Sequence, residues 1–443
     1  MTAIFKHSHS PIRCWAIALL TAICLPALAA AASPARQLDV IVILQSNGES
    51  MRNIPAADVL SRHIDNRARA ANLAAEHGVS VRHTYGTVMR GFSARINERQ
   101  LERLQQDSRV ARVELDGVAW ATRGKPDRGG SPKEVVPWGI TRIGSASNKG
   151  EGVHVYVLDS GIDSNHPDLE GNIDTGWAGY ACKGKKCIYD WDDDNGHGTH
   201  VAGTIGAQDN DIGVVGVAPD VTLHAVKVLH KSGSGAWSVI AAGVDWAATD
   251  MVARQKVAVA NMSIGGYDTK NGICIDEEFS GSGALHEAIC IAKNMGLVIA
   301  VAAGNSGADA QGEIPAAFDD SVITVSATME SDDWISWSNW GDDTANWTSH
   351  NSAPVTIAAP GVSVLSTYNN GGTATYSGTS MASPHVAGAI ALYLAANPQS
   401  LDGSAFENAR TALLDTAEST KGFSNTSGHP HEEGFLDITS LLE

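Results

Sequence analysis

The alternation of hydrophobic and polar residues in the first quarter of the chain predicts a small α+β unit. Apolar runs of strand length alternate there with stretches of helical length that are rich in Ala, Arg and Leu. In the second helical stretch, Leu101 and Leu104 fall on one helical face. Strands are predicted at 38–45, 88–96 and 110–115, and helices at 56–76 and 97–107.

Beyond residue 134 the pattern changes to continuous runs of Val, Ile, Leu and Ala. Runs of this kind are typical of strands that are buried on both faces of a sheet. Segments of helical length and periodicity lie between them, and this alternation predicts a parallel α/β sheet with helices on both faces. Strands are predicted at 153–158, 223–229, 257–264 and 297–303, and helices at 238–251, 283–295 and 385–396.

The first 32 residues have the features of a signal peptide. Lys6 and Arg13 form a basic start, an apolar stretch runs from Trp15 to Leu28, and small residues at 27–29 suit cleavage. No later segment offers the roughly 18 uninterrupted apolar residues of a membrane span. We therefore expect an exported protein without a membrane segment after signal removal; an uncleaved anchor is the alternative.

A segment rich in Gly, Pro and Lys, RGKPDRGGSPK at 123–133, has the composition of a flexible linker. It separates the two parts that the hydrophobic pattern predicts to fold. The expected organisation is therefore a signal peptide over 1–32, a small α+β domain over 33–122, this linker, and a large α/β domain over 134–443.

Charge is divided unevenly between these parts. Residues 33–122 contain 12 Arg, no Lys and 10 acidic residues, whereas residues 123–443 contain 17 basic and 39 acidic residues. The opposite signs favour attraction between the two parts, and the acidic large part argues against nucleic acid as a partner. The solubility of a secreted protein explains the acidic surplus equally well.

Four of the six cysteines lie beyond the predicted signal peptide. An even number in an exported protein suggests disulfides, and four cysteines allow three pairings. Proximity in the sequence favours Cys182–Cys187 and Cys274–Cys290. Zinc binding is disfavoured, because no CxxC pair is present.

Three polar segments fall where strands end or helices begin, at the edge of a parallel sheet where reactive residues gather. Asp159 follows the strand in VYVLDSGID, His197 begins a helix in DNGHGTHVAGT, and Ser380 stands at a helix start in YSGTSMASPHVAG. A serine hydroxyl needs an imidazole to accept its proton, and the imidazole needs a carboxylate to fix its tautomer. In VAAGNSG, the amide of Asn305 suits stabilisation of an oxyanion beside the backbone N–H of Ser380.

The motifs VLDSGI, HGTHVAGT, NMSIGG, AAGN and GTSMASPHVAG, in this order, resemble those of the subtilisin family of serine proteases over roughly 134–443. Residues 38–122 are similar to the inhibitor-type propeptide of that family. The resemblance implies a subtilisin-like α/β fold and a secreted, monomeric serine endopeptidase. It also implies a precursor that removes its own propeptide, which acts first as a folding aid and inhibitor.

The resemblance also implies where polypeptide substrates bind. In this family an extended peptide lies between two backbone edges and adds a strand to each. Trp237 and Ile240 are expected beside the subsite for the fourth residue before the cleaved bond. Glu313 is expected in the wall of the pocket for the residue preceding that bond, where it favours Lys or Arg; a position at the rim would be solvated and weak. The two edges correspond here to Gly233, Ser234 and Gly235, and to Ser263, Ile264 and Gly265.

A structural calcium site is implied in the same way, since Ca²⁺ takes six to eight oxygen ligands. The family's side-chain ligands correspond to Asp168 and Asn210, and Glu134 stands where the family has another polar ligand. Backbone carbonyls are expected from Gln208, Ile212 and Val214. A separate acidic run, Asp190, Asp192, Asp193 and Asp194, suits either a second ion or a solvated acidic loop.

Two other functions remain open from the sequence. A lipase-like esterase is one, although no G-x-S-x-G motif surrounds Ser380. A protease-like binding scaffold without catalysis is the other. For the protease, the expected maturation cut follows Thr122, with a cut after Arg123 or Lys125 as the alternative if Glu313 selects basic residues.

Overall fold

The structure is a computed structural model, and it describes residues 36–46, 55–121, 127–129, 133–275, 278–341, 354–425 and 428–442. For residues 127–129 only the backbone is described. The predicted signal peptide lies outside the described residues, as do Thr122, Arg123 and Lys125. Within the described parts, no helix is long and apolar enough to cross a membrane.

Twenty strands and nine α-helices follow one another in the described parts of the chain. The strands are β1 Gln37–Leu44, β2 Val81–Tyr85, β3 Gly91–Asn97, β4 Val110–Leu115, β5 Val118–Ala121, β6 Asp127–Gly129, β7 His154–Asp159, β8 Ile173–Ala178, β9 Thr222–Lys227, β10 Ser234–Ala236, β11 Ala258–Met262, β12 Ile264–Tyr267, β13 Gly272–Ile275, β14 Glu278–Gly281, β15 Leu297–Ala302, β16 Glu313–Ile314, β17 Ile323–Thr328, β18 Ile357–Pro360, β19 Val364–Tyr368 and β20 Gly372–Tyr376. The helices are α1 Ala56–Glu76, α2 Glu98–Gln105, α3 Trp138–Arg142, α4 His197–Gly206, α5 Trp237–Arg254, α6 Ala284–Asn294, α7 Thr379–Ala396, α8 Ser404–Thr416 and α9 Ile438–Leu441.

The N-terminal unit is an antiparallel sheet in the order β2-β3-β1-β4 with α1 and α2 packed against it. Helix α2 begins with a capping box, in which Asn97 and Gln100 exchange side-chain and backbone hydrogen bonds. The predicted strand at 88–96 begins later than expected, at Gly91, because Val88 and Met89 are buried in a loop against the large domain.

Strand β1 contributes to two hydrophobic cores at once. Val40 and Val42 point into the core of the small unit, whereas Ile41 and Ile43 pack into the core that lies beside α5 and α6 of the large domain. Successive side chains of a strand point to opposite faces. The apolar run in β1 is uninterrupted because the strand is buried on both faces, on one by its own unit and on the other by the large domain.

The large domain is built on a sheet of seven parallel strands in the order β18-β17-β15-β11-β7-β9-β8. Val155 and Val157 of β7 face one core, which includes side chains of α4 and α7. Tyr156 and Leu158 face the other core, which includes side chains of α5 and α6. The predicted parallel α/β sheet with helices on both faces is confirmed.

The order of the strands places a topological switch point at β7. On one side of β7 lie β9 and then β8, which the chain forms next. On the other side lie β11, β15, β17 and β18, which the chain forms afterwards. A crevice opens at the carboxyl ends of the strands where the direction of winding reverses. Asp159 is the last residue of β7 and therefore lies at this crevice.

Candidate active site

Asp159 and His197 form a buried hydrogen-bonded pair at the switch point. The Nδ1 atom of His197, the first residue of α4, lies 2.8 and 2.9 Å from the two carboxylate oxygens of Asp159. Both residues have no exposed surface. The Nε2 atom of His197 is buried and has no hydrogen-bond partner among the described residues. A carboxylate on Nδ1 fixes the tautomer that leaves the Nε2 lone pair available to accept a proton.

Ser380 is the second residue of α7 and is fully buried. Its hydroxyl lies 3.0 Å from the carbonyl of Ser263, and the Ser263 hydroxyl donates to the carbonyl of Ser380 at 2.8 Å. The nucleophile is thus tied to the residue that precedes β12. The position in the first turn of a helix also places the positive end of the helix dipole at the hydroxyl.

Asn305 is held in place by the residue before the nucleophile. Its Oδ1 atom accepts hydrogen bonds from the backbone N–H and the hydroxyl of Thr379, at 2.9 and 3.0 Å. The Thr379 hydroxyl also accepts from the N–H of Gly304 at 3.1 Å. With its oxygen engaged in this way, the amide of Asn305 directs its N–H groups away from Thr379. Such an amide can donate to an oxyanion that forms beside Ser380.

A segment of the chain itself lies in the groove that leads to Ser380. Strand β5 is the middle strand between β10 and β12 and is antiparallel to both. The predicted edges around Gly233–Gly235 and Ser263–Gly265 are therefore the edges that hold an extended peptide in this structure. The paired residues are Trp120 with Ser234, Ala119 with Gly235, Val118 with Ala236, Ala121 with Ile264, and Trp120 with Gly265.

The side chains of β5 alternate between solvent and a hydrophobic pocket. Trp120 and Val118 are about half exposed, whereas Ala119 has no exposed surface. Ala119 belongs to the same hydrophobic cluster as Trp237 and Ile240. The backbone N–H of Trp237 also donates to the carbonyl of Gly117 at 3.2 Å. The two residues predicted beside a hydrophobic subsite thus lie in one cluster with the buried alanine of the peptide.

Comparison with known proteins agrees with this geometry. A sequence model of the subtilase family matches residues 150–435, and a model of the peptidase inhibitor I9 matches residues 39–119. The chain belongs to the subtilase family. This subtilase is a serine endopeptidase with a subtilisin-like fold and an inhibitor I9 propeptide.

Its relatives include both fungal and bacterial proteases. An alkaline serine protease of Corniculantispora psalliotae is 34% identical over 82% of this chain and 86% of the relative. Subtilisin amylosacchariticus of Bacillus subtilis subsp. amylosacchariticus is 36% identical over 75% of this chain and 77% of the relative. A crystal structure of a cold adapted subtilisin-like serine proteinase has a TM-score of 0.55 and 36% identity, and the match covers 68% of this chain and 98% of that one.

Glu313 of this subtilase is buried behind one edge of the groove. Strand β16, which contains Glu313, pairs with β12, and a Cβ atom on Gly265 would come within 2.6 Å of the Glu313 Oε1 atom. The other oxygen accepts from the amide of Asn339 at 3.0 Å. Only 6% of the residue is exposed, and burial raises the pKa of its carboxyl group. Glu313 is therefore buried beside this edge and is not at a solvated rim.

The residues predicted to bind calcium lie close together. Asp168 is buried; its Oδ2 atom accepts from the N–H of Val214 at 2.8 Å, and its Oδ1 atom has no partner among the described residues. Burial raises the pKa of Asp168 to about 6, and the charge of Glu134 acts in the same direction. The described residues contain no group of three His, Cys, Asp or Glu side chains suited to a metal. Backbone N–H groups of the 208–214 loop hold it in place. The N–H of Gln208 donates to the carbonyl of Asp168, that of Asn210 to the Glu134 carboxylate, and that of Ile212 to the Asn210 side chain.

The acidic run before His197 is neither a solvated loop nor an open ion site, which corrects both expectations for it. Asp190 is exposed, but Asp192 and Asp193 are buried. The Asp192 carboxylate accepts backbone N–H groups from residues 164, 188 and 189, and the Asp193 carboxylate accepts five donors. Asp194 accepts the N–H of Lys183 and an ion pair from Lys227. These carboxylates are occupied by groups of the protein itself.

Both predicted disulfides are present. One joins Cys182 to Cys187, five residues apart, and the other joins Cys274 to Cys290, sixteen residues apart. The second connects the hairpin β13–β14 to α6. All four cysteines beyond the predicted signal peptide are therefore used, which agrees with the expectation that they do not bind zinc.

Sequence reasoning missed the carboxylates that join the propeptide to the catalytic domain. Asp116 accepts from the backbone N–H and the hydroxyl of Ser238, in the first turn of α5. Glu114 accepts from the N–H of Ala284, the first residue of α6. In the opposite direction, Asp245 of α5 accepts the backbone N–H groups of propeptide residues 86–88. The acidic residues at 114 and 116 stand in a strand segment that is apolar apart from Arg112, and this was the available signal.

Proposed function

We propose that this subtilase is a secreted endopeptidase that cleaves polypeptides through an acyl-enzyme on Ser380. His197 accepts the proton of the Ser380 hydroxyl at Nε2 and later donates it to the leaving amine. Asp159 holds the imidazole by Nδ1 and stabilises the imidazolium that forms. The carbonyl oxygen becomes an oxyanion, which accepts from the amide of Asn305 and from the N–H of Ser380. Loss of one such donor has been found to lower kcat by about 10²–10³ in a subtilisin.

We further propose that the enzyme cuts its own precursor after Thr122. The observation that carries this proposal is the register of β5 in the groove. Ala121 pairs with Ile264, so the next residue along an extended strand corresponds to Ser263. The carbonyl of Ser263 is 3.0 Å from the Ser380 hydroxyl. The register therefore favours Thr122 as the residue preceding the cleaved bond, over the alternatives Arg123 and Lys125.

The test of autoprocessing is the Ser380→Ala variant, expressed in a protease-deficient host. It is expected to accumulate as one chain with the propeptide attached, whereas the wild-type enzyme is expected to yield a mature chain that begins at Arg123. N-terminal sequencing of both chains provides the readout. Normal trimming of the variant would show that another protease makes the cut, and a mature chain that begins at Gly124 or Pro126 would place the cut after Arg123 or Lys125.

The chemistry can be tested separately from the processing. A fluorophosphonate reagent is expected to label the mature enzyme at Ser380, and the absence of labelling would favour a binding scaffold. A protease is expected to cleave casein with a far higher kcat/KM than a short-chain ester. The reverse preference would favour an esterase.

We propose that Ca²⁺ binds where Asp168, Glu134 and the 208–214 loop meet. Two features support the fit: the buried Oδ1 atom of Asp168 has no hydrogen-bond partner among the described residues, and hydrogen bonds hold the 208–214 loop against both Asp168 and Glu134. Asp168 and Asn210 would hold the ion with their side chains, together with the carbonyls of the loop. Glu134 would add negative charge while its Oε1 atom anchors two backbone N–H groups of the loop. The ion would stabilise the fold and take no part in catalysis.

We propose that Glu313 favours a basic residue before the cleaved bond. Its carboxylate is buried beside Gly265, at the edge that holds the peptide. A buried carboxylate with one amide partner is costly unless a cation reaches it. A Lys or Arg side chain in the pocket would supply that cation.

A further inference from the structure

Three polar residues that the proposed mechanism does not use are buried beneath the triad. Ser160 and Lys227 have no exposed surface, and Asp193 is 9% exposed. Ser160 directly follows the catalytic Asp159, and Asp193 precedes His197 by four residues. Buried charges are costly unless they are paired and hydrogen-bonded. Each of these groups makes hydrogen bonds within the protein, and the partners show which segments of the chain the three residues connect.

Asp193 replaces a missing helix cap at the start of α4. The N-cap residue, Gly196, has no side chain and has a left-handed φ of 104°. The Oδ1 atom of Asp193 accepts the N–H groups of Asn195 and Gly196 at 2.8 and 2.9 Å. Its Oδ2 atom accepts the N–H and the hydroxyl of Thr199 at 3.0 and 2.7 Å. A carboxylate from outside the helix thus satisfies the first turn, in which His197 is the first residue.

The same carboxylate holds the residue beside the catalytic aspartate. Its Oδ1 atom accepts the Ser160 hydroxyl at 2.9 Å, and the hydroxyl oxygen accepts the N–H of Gly198 at 3.0 Å. The backbone N–H of Ser160 donates to Oδ1 of Asp159 at 2.7 Å. The buried amine of Lys227 donates to the Ser160 carbonyl at 2.5 Å. Ser160 is therefore fixed through its N–H, its hydroxyl and its carbonyl.

We infer that Asp193 is a positioning residue for the catalytic pair, acting through Ser160 and the first turn of α4. This inference rests on the proposed mechanism. Asp159 stands at the end of β7 and His197 at the start of α4, and an isolated β-bridge between Ile162 and Asp192 lies beside them. The Asp193 carboxylate and the Ser160 hydroxyl bridge these two elements directly. They set the 2.8 and 2.9 Å contacts between the Asp159 carboxylate and Nδ1 of His197. A misplacement of about 1 Å in a catalytic site can lower the rate by 10².

The substitution Asp193→Asn places an amide group where only donors surround the side chain. Three donors face Oδ1 and two face Oδ2, so the NH₂ group opposes a donor in either orientation. The hydrogen bonds found for this carboxylate in the described part of the chain come from residues 160, 195, 196 and 199, none of which belongs to β10 or β12. We therefore expect kcat per active site to fall about 10- to 100-fold with KM changed less than threefold.

The pH profile separates positioning from loss of structure. A weaker contact with Asp159 stabilises the imidazolium less, so the acid limb of kcat/KM should move to lower pH. Tyr376 stacks on the ring of His197, and His200 stacks on Tyr376; both residues are unchanged in these variants. Removal of the Asp193 charge acts in the same direction. The variant Ser160→Ala keeps that charge and removes only the bridging hydroxyl, so a shift in this variant reports positioning.

The experiment uses the full precursor, matured by its own processing, and fluorophosphonate titration to count active sites. It compares the wild type with Asp193→Asn, Ser160→Ala and the control Asp220→Asn, an exposed aspartate of the same domain. Lower kcat per titrated site and a shifted acid limb in the first two variants, but not in the control, support the inference. If Asp193→Asn does not accumulate, Ser160→Ala alone decides. An unchanged kcat and acid limb in Ser160→Ala, while it still labels and cleaves, overturns the positioning role without touching the triad assignment.

Discussion

The affinity of the propeptide for the catalytic domain should depend strongly on one carboxylate, that of Asp245. Asp245 lies on α5 of the catalytic domain and is 4% exposed. Its Oδ1 atom accepts the N–H groups of Thr87 and Val88 at 2.7 and 2.8 Å, and both oxygens lie 3.2–3.3 Å from the N–H of Gly86. Three successive backbone groups of the propeptide loop thus converge on one side chain.

The expected loss for Asp245→Asn follows from these contacts. The amide oxygen can keep the two short bonds at the strength of neutral hydrogen bonds, a loss of about 1 kcal/mol each. The new NH₂ group faces the N–H of Gly86 and cannot accept from it, which costs about 1 kcal/mol more. A total of about 3 kcal/mol corresponds to about 150-fold in affinity. Desolvation of the carboxylate in the wild-type complex offsets part of this, so we expect weakening of about 10- to 150-fold.

The assay adds the propeptide, residues 33–122, to the mature enzyme and measures inhibition of a short chromogenic peptide. The ratio of inhibition constants between the variant and the wild type gives the free energy directly. Any folding of the propeptide that accompanies binding contributes equally to both and cancels. Asp220→Asn is the matched control, because it removes the same charge from an exposed site of the catalytic domain. Equal inhibition constants for Asp245→Asn and the control would refute the reasoning.

Three further predictions concern pH, calcium and specificity. Burial lowers the pKa of His63 and outweighs the opposing charge of Asp245, 3.8 Å away, while the charge of Arg67 adds to the lowering. The complex therefore favours neutral His63, so inhibition by the propeptide should weaken as pH falls through about 6.5, and His63→Gln should flatten this dependence. Chelation of calcium should lower the melting temperature of the wild type but not of Asp168→Asn, with about 2.7 kcal/mol expected at a hundredfold excess of ion over Kd; an unchanged wild-type melting temperature would contradict the site. Glu313→Ala should reduce cleavage after Lys and Arg relative to Leu and Phe, and an unchanged ratio would exclude the assignment.

The strands of the sheet were predictable where they are uniformly apolar. The runs that became β7, β9, β11 and β15 were placed within a few residues of their observed ends. Strand β17 was missed because Thr324 and Ser326 interrupt its apolar pattern. Both are fully buried, and hydrogen bonds satisfy them: the Thr324 hydroxyl donates to the carbonyl of Ala316 at 2.8 Å, and the Ser326 hydroxyl donates to Glu433. Ala316 is eight residues from Thr324, and Glu433 is 107 residues from Ser326, and neither partner can be inferred from the local pattern of the strand.

Helix α4 was anticipated only from its first residue. Its sequence, HGTHVAGTIG, is rich in Gly and Thr, which have low helix propensity, yet every residue in it is buried. Tertiary packing, and not intrinsic preference, therefore makes this segment helical. Part of the predicted linker also has structure, since β6 pairs with β20. A Gly- and Lys-rich composition does not reveal such a pairing, because the edge of another strand supplies the hydrogen bonds.

The acidic residues show most clearly what a sequence cannot provide. The order of the motifs was enough to propose Asp159, His197 and Ser380 as the catalytic triad, because a resemblance carried by five ordered motifs is specific. A run such as DWDDDNG, in contrast, suits a solvated loop as well as it suits an ion site. Its structural role depends on backbone N–H groups, which every residue except proline has. Only the fold determines which N–H groups face which carboxylate.

We propose that the propeptide assists folding, and the helix termini at the interface supply a physical reason for this role. Helices α5 and α6 begin after Ala236 and Gly283, which provide no capping side chain. In the precursor, Asp116 and Glu114 accept N–H groups in their first turns, and each such cap is worth about 1 kcal/mol. Glu114 and Asp116 lie just before β5 in the sequence. One continuous segment of the propeptide therefore carries both the groups that cap the two helices and the strand that fills the substrate groove. Because these helices pack against β1 and the parallel sheet, their early formation would bring the central strands together. Cleavage then removes groups that the finished fold no longer needs, since water can solvate the exposed N–H groups once the core is packed.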